Sequence, residues 1–123
     1  MGAYEQADAF ANRIESELRA LNVWRNEPLP EAAYRSRQAF FADTMTFYQW
    51  LQFVLLQRVR DIVGKRGAFP RGSSVGAYAM RELDGNDEAA GLVTALCEFD
   101  AFIEDLPGGD RATSTRARGR GNT

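Results

Sequence analysis

The polar side chains best suited to chemistry lie in and just before one strongly apolar segment, residues 46–63. They combine a carboxylate, hydroxyl, amide and guanidinium groups, which can together bind an anion or the polar groups of a partner molecule. An aromatic side chain in the same segment could serve as an anchor for a partner. The candidate binding residues are Asp43, Thr44, Gln49, Gln52, Phe53 and Arg58.

Arg58 is the most informative of these residues. At about 100° per residue, it falls between Phe47 and Leu51 on the broad apolar arc of a helix. A guanidinium in an apolar setting needs acceptors, because an unpaired buried charge is very costly. The sequence therefore predicts a buried ion pair, which Arg58→Ala would break at a cost of about 3–5 kcal/mol. An anion-binding or partner-binding cleft is the alternative, and the candidate carboxylates are Asp43, Asp61 and Glu82.

Two other residues of the segment also have two interpretations. Gln52 lies inside the apolar arc, so we expect its amide to bond to the backbone at the edge of the core, with a ligand contact as the alternative. Phe53 points toward the narrow polar face of the helix. It is either an exposed anchor for a partner or is covered by one of the aromatic residues Tyr34, Phe40 and Phe41.

Catalytic machinery is not apparent in the sequence. The chain has no histidine and a single cysteine, Cys97, whose apolar neighbours predict a buried thiol that acts as a small hydrophobic side chain. The serines of PRGSSVG, residues 70–76, lack both a histidine partner and the lysine of a phosphate-binding loop. Asp100 falls on the apolar side of its helix, where we expect it to meet an arginine. The sequence thus predicts no catalytic residue, no metal site and no cofactor.

Charge is distributed unevenly along the chain of 123 residues. Residues 1–106 carry 11 basic and 16 acidic side chains, a net charge of −5, whereas residues 107–123 have a net charge of +3. An acidic body disfavours direct binding to nucleic acid or to anionic membranes, although the basic tail could bind RNA weakly. With no signal peptide and no apolar segment long enough to span a bilayer, we expect a cytoplasmic protein.

Hydrophobic spacing predicts an all-α fold with four helices at about residues 4–24, 46–63, 75–83 and 87–106. Thr46 and Gln49 fit a capping box at the start of the second helix, which should be the central one because its apolar arc is so wide. Residues 31–45 should form a loop with a short helical turn that packs its aromatic side chains on the bundle. We expect a helical bundle domain over residues 1–106 and a disordered basic tail over residues 107–123.

The stretch FFADTMTFYQWLQFVLLQRV, residues 40–59, resembles the YqcC-like family of small bacterial proteins. The resemblance covers about residues 10–105 and implies a four-helix, up-and-down bundle. It also implies a protein of unestablished biochemical function, associated in some members with a tRNA pseudouridine synthase through gene proximity. The sequence departs from the family pattern at Ala39, Gln57 and Ala77, where prolines are expected, and at Met80, where an acidic residue is expected.

Three functions follow from these observations as hypotheses. The leading one is a non-enzymatic binding module that interacts with a protein partner, or with a second copy of itself as a homodimer. The second is an accessory factor in tRNA modification that acts through a partner enzyme. The third is an enzyme that uses a carboxylate together with Arg58.

Overall fold

The computed structural model describes residues 2–107, which fold into an all-α bundle. Its α-helices are α1 (Ala3–Ala20), α2 (Phe47–Trp50), α3 (Leu56–Lys65), α4 (Val75–Glu82) and α5 (Ala90–Asp105). A π-helical turn, Leu51–Leu55, joins α2 to α3, so that residues 47–65 form one continuous helix, here called the central helix. With the central helix counted once, the described chain has four helices, as the sequence predicts.

Helix α1 forms because its small and aliphatic residues fall on one stripe. Ala7, Ala11, Ile14 and Leu18 are all buried at spacings of four, three and four residues. The helix ends four residues earlier than predicted, since Asn22 takes a left-handed conformation with φ 61°. The N–H of the next residue, Val23, then donates to the Leu18 carbonyl at 3.2 Å and closes the helix end.

The central helix begins and ends with local hydrogen bonds. At its start, Thr46 and Gln49 form the predicted capping box, with both reciprocal bonds present. At its end, Arg66 adopts a left-handed conformation with φ 51°, and the Gly67 N–H donates to the Ile62 carbonyl at 2.9 Å. The sequence predicts that Gly64 or Gly67 ends this helix; in the structure Arg66 takes the left-handed position and Gly67 follows it.

The core lies along the central helix. Seven of its apolar residues are buried: Phe47, Trp50, Leu51, Val54, Leu55, Leu56 and Val59. Helix α1 packs against both α3 and α5, and α4 packs against α5. The prediction that residues 46–63 are covered on several sides is therefore confirmed. No helix within residues 2–107 is both long enough and apolar enough to cross a membrane.

Residues 31–45 form the predicted loop, with two short 3₁₀ turns at Glu31–Tyr34 and Ala39–Phe41. Phe40 and Phe41 are half-buried against the core, as expected, but Tyr34 remains 43% exposed. The Phe40 ring stacks on Tyr78 with centroids 4.0 Å apart. Both phenylalanines have positive φ, 57° and 53°, which is unfavourable for bulky residues. Packing of the aromatic side chains offsets this backbone cost.

The boundary predicted between the bundle and the tail falls near the end of the described chain. Helix α5 ends at Asp105, and Pro107 is the last described residue. The prediction of a disordered tail concerns residues that, apart from Pro107, lie outside the described part of the chain.

Candidate functional site

The six candidate residues do not form one site. Asp43, Thr44 and Gln49 line a groove of about 600 Å³ beside the end of α4, together with Tyr78 and Glu82. Arg58 lines a separate cleft, and Gln52 and Phe53 lie on neither of the two. The structure therefore places the candidate residues on separate surfaces, and their part in binding stays a prediction.

Asp43 and Thr44 hold the 31–45 loop in place. The Ser36 hydroxyl donates to the Asp43 carboxylate and also accepts the Gln38 N–H at 2.9 Å. The Thr44 hydroxyl donates to the Ala33 carbonyl at 2.6 Å. Both side chains thus have structural partners within their own loop.

The two glutamine side chains are also engaged by the backbone. The Gln49 amide oxygen accepts the Thr46 N–H at 2.9 Å as part of the capping box. Gln52 is 5% exposed and makes two bonds to one residue, since its oxygen accepts the Arg25 N–H at 2.9 Å and its amide nitrogen donates to the Arg25 carbonyl at 2.7 Å. Gln52 therefore fastens the loop after α1 to the central helix, as its structural interpretation predicts.

Phe53 is half-buried rather than fully exposed. The ring contacts of Phe40 go instead to Phe47, Trp50 and Tyr78. Among residues 2–107, no aromatic ring pair joins Phe40 to Phe53.

Arg58 is exposed, which overturns the prediction of a buried ion pair. Its three candidate carboxylates are placed elsewhere. Asp61 pairs with Lys65 at 3.1 Å, Asp43 bonds to Ser36, and Glu82 faces the other groove. Within residues 2–107, the Arg58 guanidinium has neither a salt bridge nor a hydrogen bond.

The π-helical turn explains this error. In residues 51–55 the bonds span five residues, and the Leu56 N–H donates to the Leu51 carbonyl. Such a turn contains about one residue more than an α-helical turn. Every later side chain is therefore rotated back about the helix axis by roughly 100° from the direction that a regular helix would give it. Val59, which is 5% exposed, consequently faces the core in the direction that a regular helix would give to Arg58.

The cleft beside Arg58 has a volume of about 540 Å³ and opens to the surface. The central helix, the loop of residues 66–74 and α5 supply its walls. Arg58 and Asp61 lie at its polar edge, and Ala68, Phe69 and Pro70 come from the loop. Apolar side chains supply much of the remaining lining: Trp50, Leu55, Val59, Phe99 and Ile103.

The carboxylate of Asp100, which lies next to the cleft, accepts three hydrogen bonds. Ser73 lines the cleft and donates to Asp100 at 2.5 Å, and the backbone N–H groups of Val75 and Gly76 donate to the same carboxylate at 3.0 and 2.7 Å. Asp100, from α5, thus caps the N-terminus of α4, where a negative charge is favourable. The prediction that Asp100 meets an arginine is wrong, because the donors at the start of α4 bind its carboxylate instead.

Comparisons with known proteins agree with this architecture. A family model described as tRNA pseudouridine synthase C matches residues 7–102. The uncharacterised protein YqcC of Escherichia coli (strain K12) is 32% identical over 106 residues, which are 85% of this chain and 97% of that protein. This chain belongs to the YqcC-like family.

Three further comparisons describe this YqcC-like chain. The solution NMR structure of E. coli YqcC superposes with a TM-score of 0.76 at 26% identity over 98% of both chains, which confirms the all-α bundle. An uncharacterised protein of Haemophilus influenzae is 25% identical over 81% of this chain and 94% of its own length. A tRNA pseudouridine synthase C of Pectobacterium carotovorum is 38% identical over 58 residues, which are 47% of this chain and 15% of that protein.

The single cysteine of this YqcC-like chain, Cys97, lies in surroundings that disfavour its thiolate form. Cys97 is half-buried rather than buried, which corrects the sequence prediction. Burial raises the pKa of the Cys97 thiol, and the neighbouring Asp100 and Glu98 carboxylates raise it further. Because the thiolate is the nucleophilic form, this environment disfavours covalent chemistry at Cys97.

Sequence reasoning missed Gly76, which allows α4 and α5 to approach closely. A Cβ atom on Gly76 would lie 2.6 Å from the Cα and 2.7 Å from the backbone nitrogen of Cys97. The signal that could have revealed this contact is an aspartate on the apolar stripe of α5, combined with a short helix that begins Ser-Val-Gly and has no acidic residue in its first turn. Together they indicate a helix that is capped from outside.

Proposed function

We propose that this protein is a non-enzymatic binding module that receives an apolar side chain of a partner protein in the cleft beside Arg58. The observation that carries this proposal is the cleft itself, an open space of about 540 Å³ with a largely apolar lining. Binding sites for small ligands fall in the range of about 300–1,000 Å³ and combine an apolar lining with few polar groups. A large aliphatic or aromatic side chain would fit such a space.

The polar groups near the cleft support binding rather than catalysis. Ser73 donates to Asp100, whose carboxylate is held by two further N–H groups. The raised pKa of Cys97 disfavours its thiolate. Arg58 can attract a negative charge, and the carboxylate beside it at the rim, Asp61, is paired with Lys65 at 3.1 Å.

Selection from a random peptide library displayed on phage tests this proposal. We expect the selected peptides to share a large apolar residue and to bind the purified protein with measurable affinity by titration calorimetry. Ala68→Trp places a large ring at the exposed rim of the cleft and should weaken these peptides at least about tenfold, or 1.4 kcal/mol.

The matched control is Ala101→Trp, which adds the same ring to an exposed position of α5 away from the cleft. This variant should bind like the wild type. Peptides that bind Ala68→Trp as tightly as the wild type would show that partners use another surface.

A second candidate function is that of an accessory subunit to a tRNA pseudouridine synthase. The specific observation is that the Pectobacterium carotovorum protein of that name includes a segment similar to 58 residues of this chain, and this segment is only 15% of its length. A covalent link between two domains raises their effective concentration and favours any contact between them. A separate chain of the same family would make that contact as a partner.

A purified tRNA pseudouridine synthase C that lacks the segment similar to this chain tests this second candidate. Mixed in purified form, the two proteins should co-elute in gel filtration, and Ala68→Trp should reduce the complex while Ala101→Trp should not. Separate elution at micromolar concentrations would rule out the synthase as a stable partner and would leave the cleft to another protein.

A further inference from the structure

We propose that the cleft prefers a partner segment in which an aspartate or glutamate side chain follows the apolar anchor, and that Arg58 binds its carboxylate. This inference rests on the proposed function, because it names the chemistry of the residue that enters the cleft. It adds a selectivity that the apolar lining alone cannot provide, since an apolar wall does not distinguish a carboxylate from a neutral amide.

The charge at the rim is the first argument. Arg58 lies at the edge of the cleft without a salt bridge or hydrogen bond among the described residues. The other charged rim residue, Asp61, is paired with Lys65 at 3.1 Å. The guanidinium is therefore the group whose charge is left for an incoming carboxylate.

Two carboxylates of α5, those of Asp100 and Glu104, lie next to residues of the cleft and do not compete for Arg58. Asp100 accepts three hydrogen bonds at the start of α4, so its charge is already balanced by the helix N-terminus. Glu104 and Arg71, which belong to α5 and the loop before α4, also have interactions of their own.

The geometry of the guanidinium is the second argument. An arginine presents a rigid planar fork that matches a carboxylate with two parallel hydrogen bonds. Trp50 and Val59 line the same cleft, so an apolar anchor bound there would bring a neighbouring carboxylate to the rim at which Arg58 lies. An apolar anchor and an adjacent carboxylate would thus be bound together.

The composition of residues 108–123 does not match this occupant. This segment has four arginines and a single aspartate, Asp110, and it contains no aromatic or large aliphatic side chain. A partner molecule with an acidic and apolar segment is the better complement to the cleft.

Two capped hexapeptides test the proposal. They are identical, with Leu-Phe-Glu at the centre of one and Leu-Phe-Gln at the centre of the other, and their capped ends carry no charge. Binding is followed by the fluorescence of Trp50, which lines the cleft, in a Trp24→Phe background that removes the second tryptophan. We expect the acidic peptide to bind about tenfold more tightly than its neutral twin, as a charge-assisted pair implies.

Variants of Arg58 then test whether this residue causes the preference for the acidic peptide. Arg58→Gln should make the two peptides equal in affinity, while Arg58→Lys should retain part of the difference because it keeps the charge but loses the fork. The matched control is Arg35→Gln, which removes an exposed arginine from the 31–45 loop and should leave the tenfold difference intact. Circular dichroism confirms that each variant is folded.

The outcomes separate the two proposals. Equal binding of both peptides to the wild type, with loss of both in Ala68→Trp, would overturn the carboxylate preference but support the cleft as a docking site. A preference that persists in Arg58→Gln would also overturn the role of Arg58. Both proposals would be overturned if neither hexapeptide bound and if the library peptides bound Ala68→Trp as tightly as the wild type.

Discussion

Asp100 and Arg58 are two charged residues near the same cleft, but only Asp100 has hydrogen-bonding partners among the described residues. The carboxylate was expected to meet an arginine, and the arginine was expected to meet a carboxylate. Asp100 is instead held by three donors at the start of α4, whereas Arg58 projects from the central helix with no partner among residues 2–107.

The difference shows that the N-terminus of a short helix can fully engage a carboxylate from a neighbouring helix. The first N–H groups of a helix have no partner within that helix, so a nearby carboxylate is the acceptor they need. Helix α4 has no acidic residue in its first turn and no cap from its own side chains, and α5 supplies Asp100 instead. The Asp100 carboxylate is thereby committed to the structure, whereas the Arg58 guanidinium has no salt bridge or hydrogen bond within residues 2–107.

The close packing of α4 on α5 is the feature with the largest expected effect on stability. Gly76→Ala would place a methyl group 2.6 Å from the Cys97 backbone, so the two helices must separate and Asp100 must leave its donors. We expect a loss of about 3 kcal/mol in the free energy of unfolding, at the upper end for an overpacked contact. Urea denaturation followed by circular dichroism measures it.

Gly64 provides the matched control for this prediction. It lies within α3, and a Cβ there would meet nothing within 4 Å. Gly64→Ala should stabilise the protein by about 0.5–1 kcal/mol, because alanine favours the helix. Equal effects of the two substitutions would contradict the close approach of α4 and α5.

Direct replacement of the two charged residues tests the comparison itself. Asp100→Ala leaves three donors without their acceptor and should lower the free energy of unfolding by about 2 kcal/mol. Arg58→Ala should change it by less than about 0.5 kcal/mol, as expected for an exposed side chain with no partner. Chemical denaturation of both variants at pH 7 provides the values.

This expectation replaces the sequence prediction of about 3–5 kcal/mol for Arg58→Ala, which assumed a buried pair. A loss of that size would mean that Arg58 is buried in an ion pair. Conversely, a negligible effect of Asp100→Ala would show that the start of α4 does not depend on its cap.

The smallest expected effect on stability concerns the ion pair between Arg60 of the central helix and Glu15 of α1. Glu15 accepts bonds from Arg19 and Arg60, both at 2.8 Å. The bond from Arg19, with a further contribution from Arg60, lowers the pKa of Glu15 below its usual value. The stabilisation is thus fully present above the ordinary pKa of glutamate, about 4.3, and is lost as pH falls through the lowered value.

Thermal unfolding at pH 7 and at pH 3 measures this contribution. The wild type should lose more stability between these two values than Glu15→Gln, which has no carboxyl group to titrate at this position. Glu27→Gln removes an exposed glutamate from the loop after α1 and should leave the pH dependence of the wild type unchanged. An identical loss in all three proteins would contradict the paired state of Glu15.

The fold could be predicted from the sequence because its signals are local or periodic. The stripe of α1, the capping box at Thr46 and the side-chain cap of Asn86, which accepts the Glu88 N–H at 3.2 Å, all depend on residues a few positions apart. The orientation of Arg58 could not be predicted, because a regular helical period was assumed across residues that form a π-helical turn. The role of Asp100 depends on a contact with residues about 25 positions away in the chain, which no local pattern encodes.

The π-helical turn also divides the central helix into two parts that differ in helical phase. Residues before Leu51 and residues after Leu55 each follow a regular period, but the two periods are out of phase by about one residue. Deleting one residue from this turn would restore a uniform period and leave Arg58 and Val59 in their present directions, whereas a regular α-helical turn of unchanged length would bring Arg58 inward and turn Val59 toward the solvent. Chimeras that exchange this helix with an uninterrupted one must therefore be aligned separately on each side of the turn.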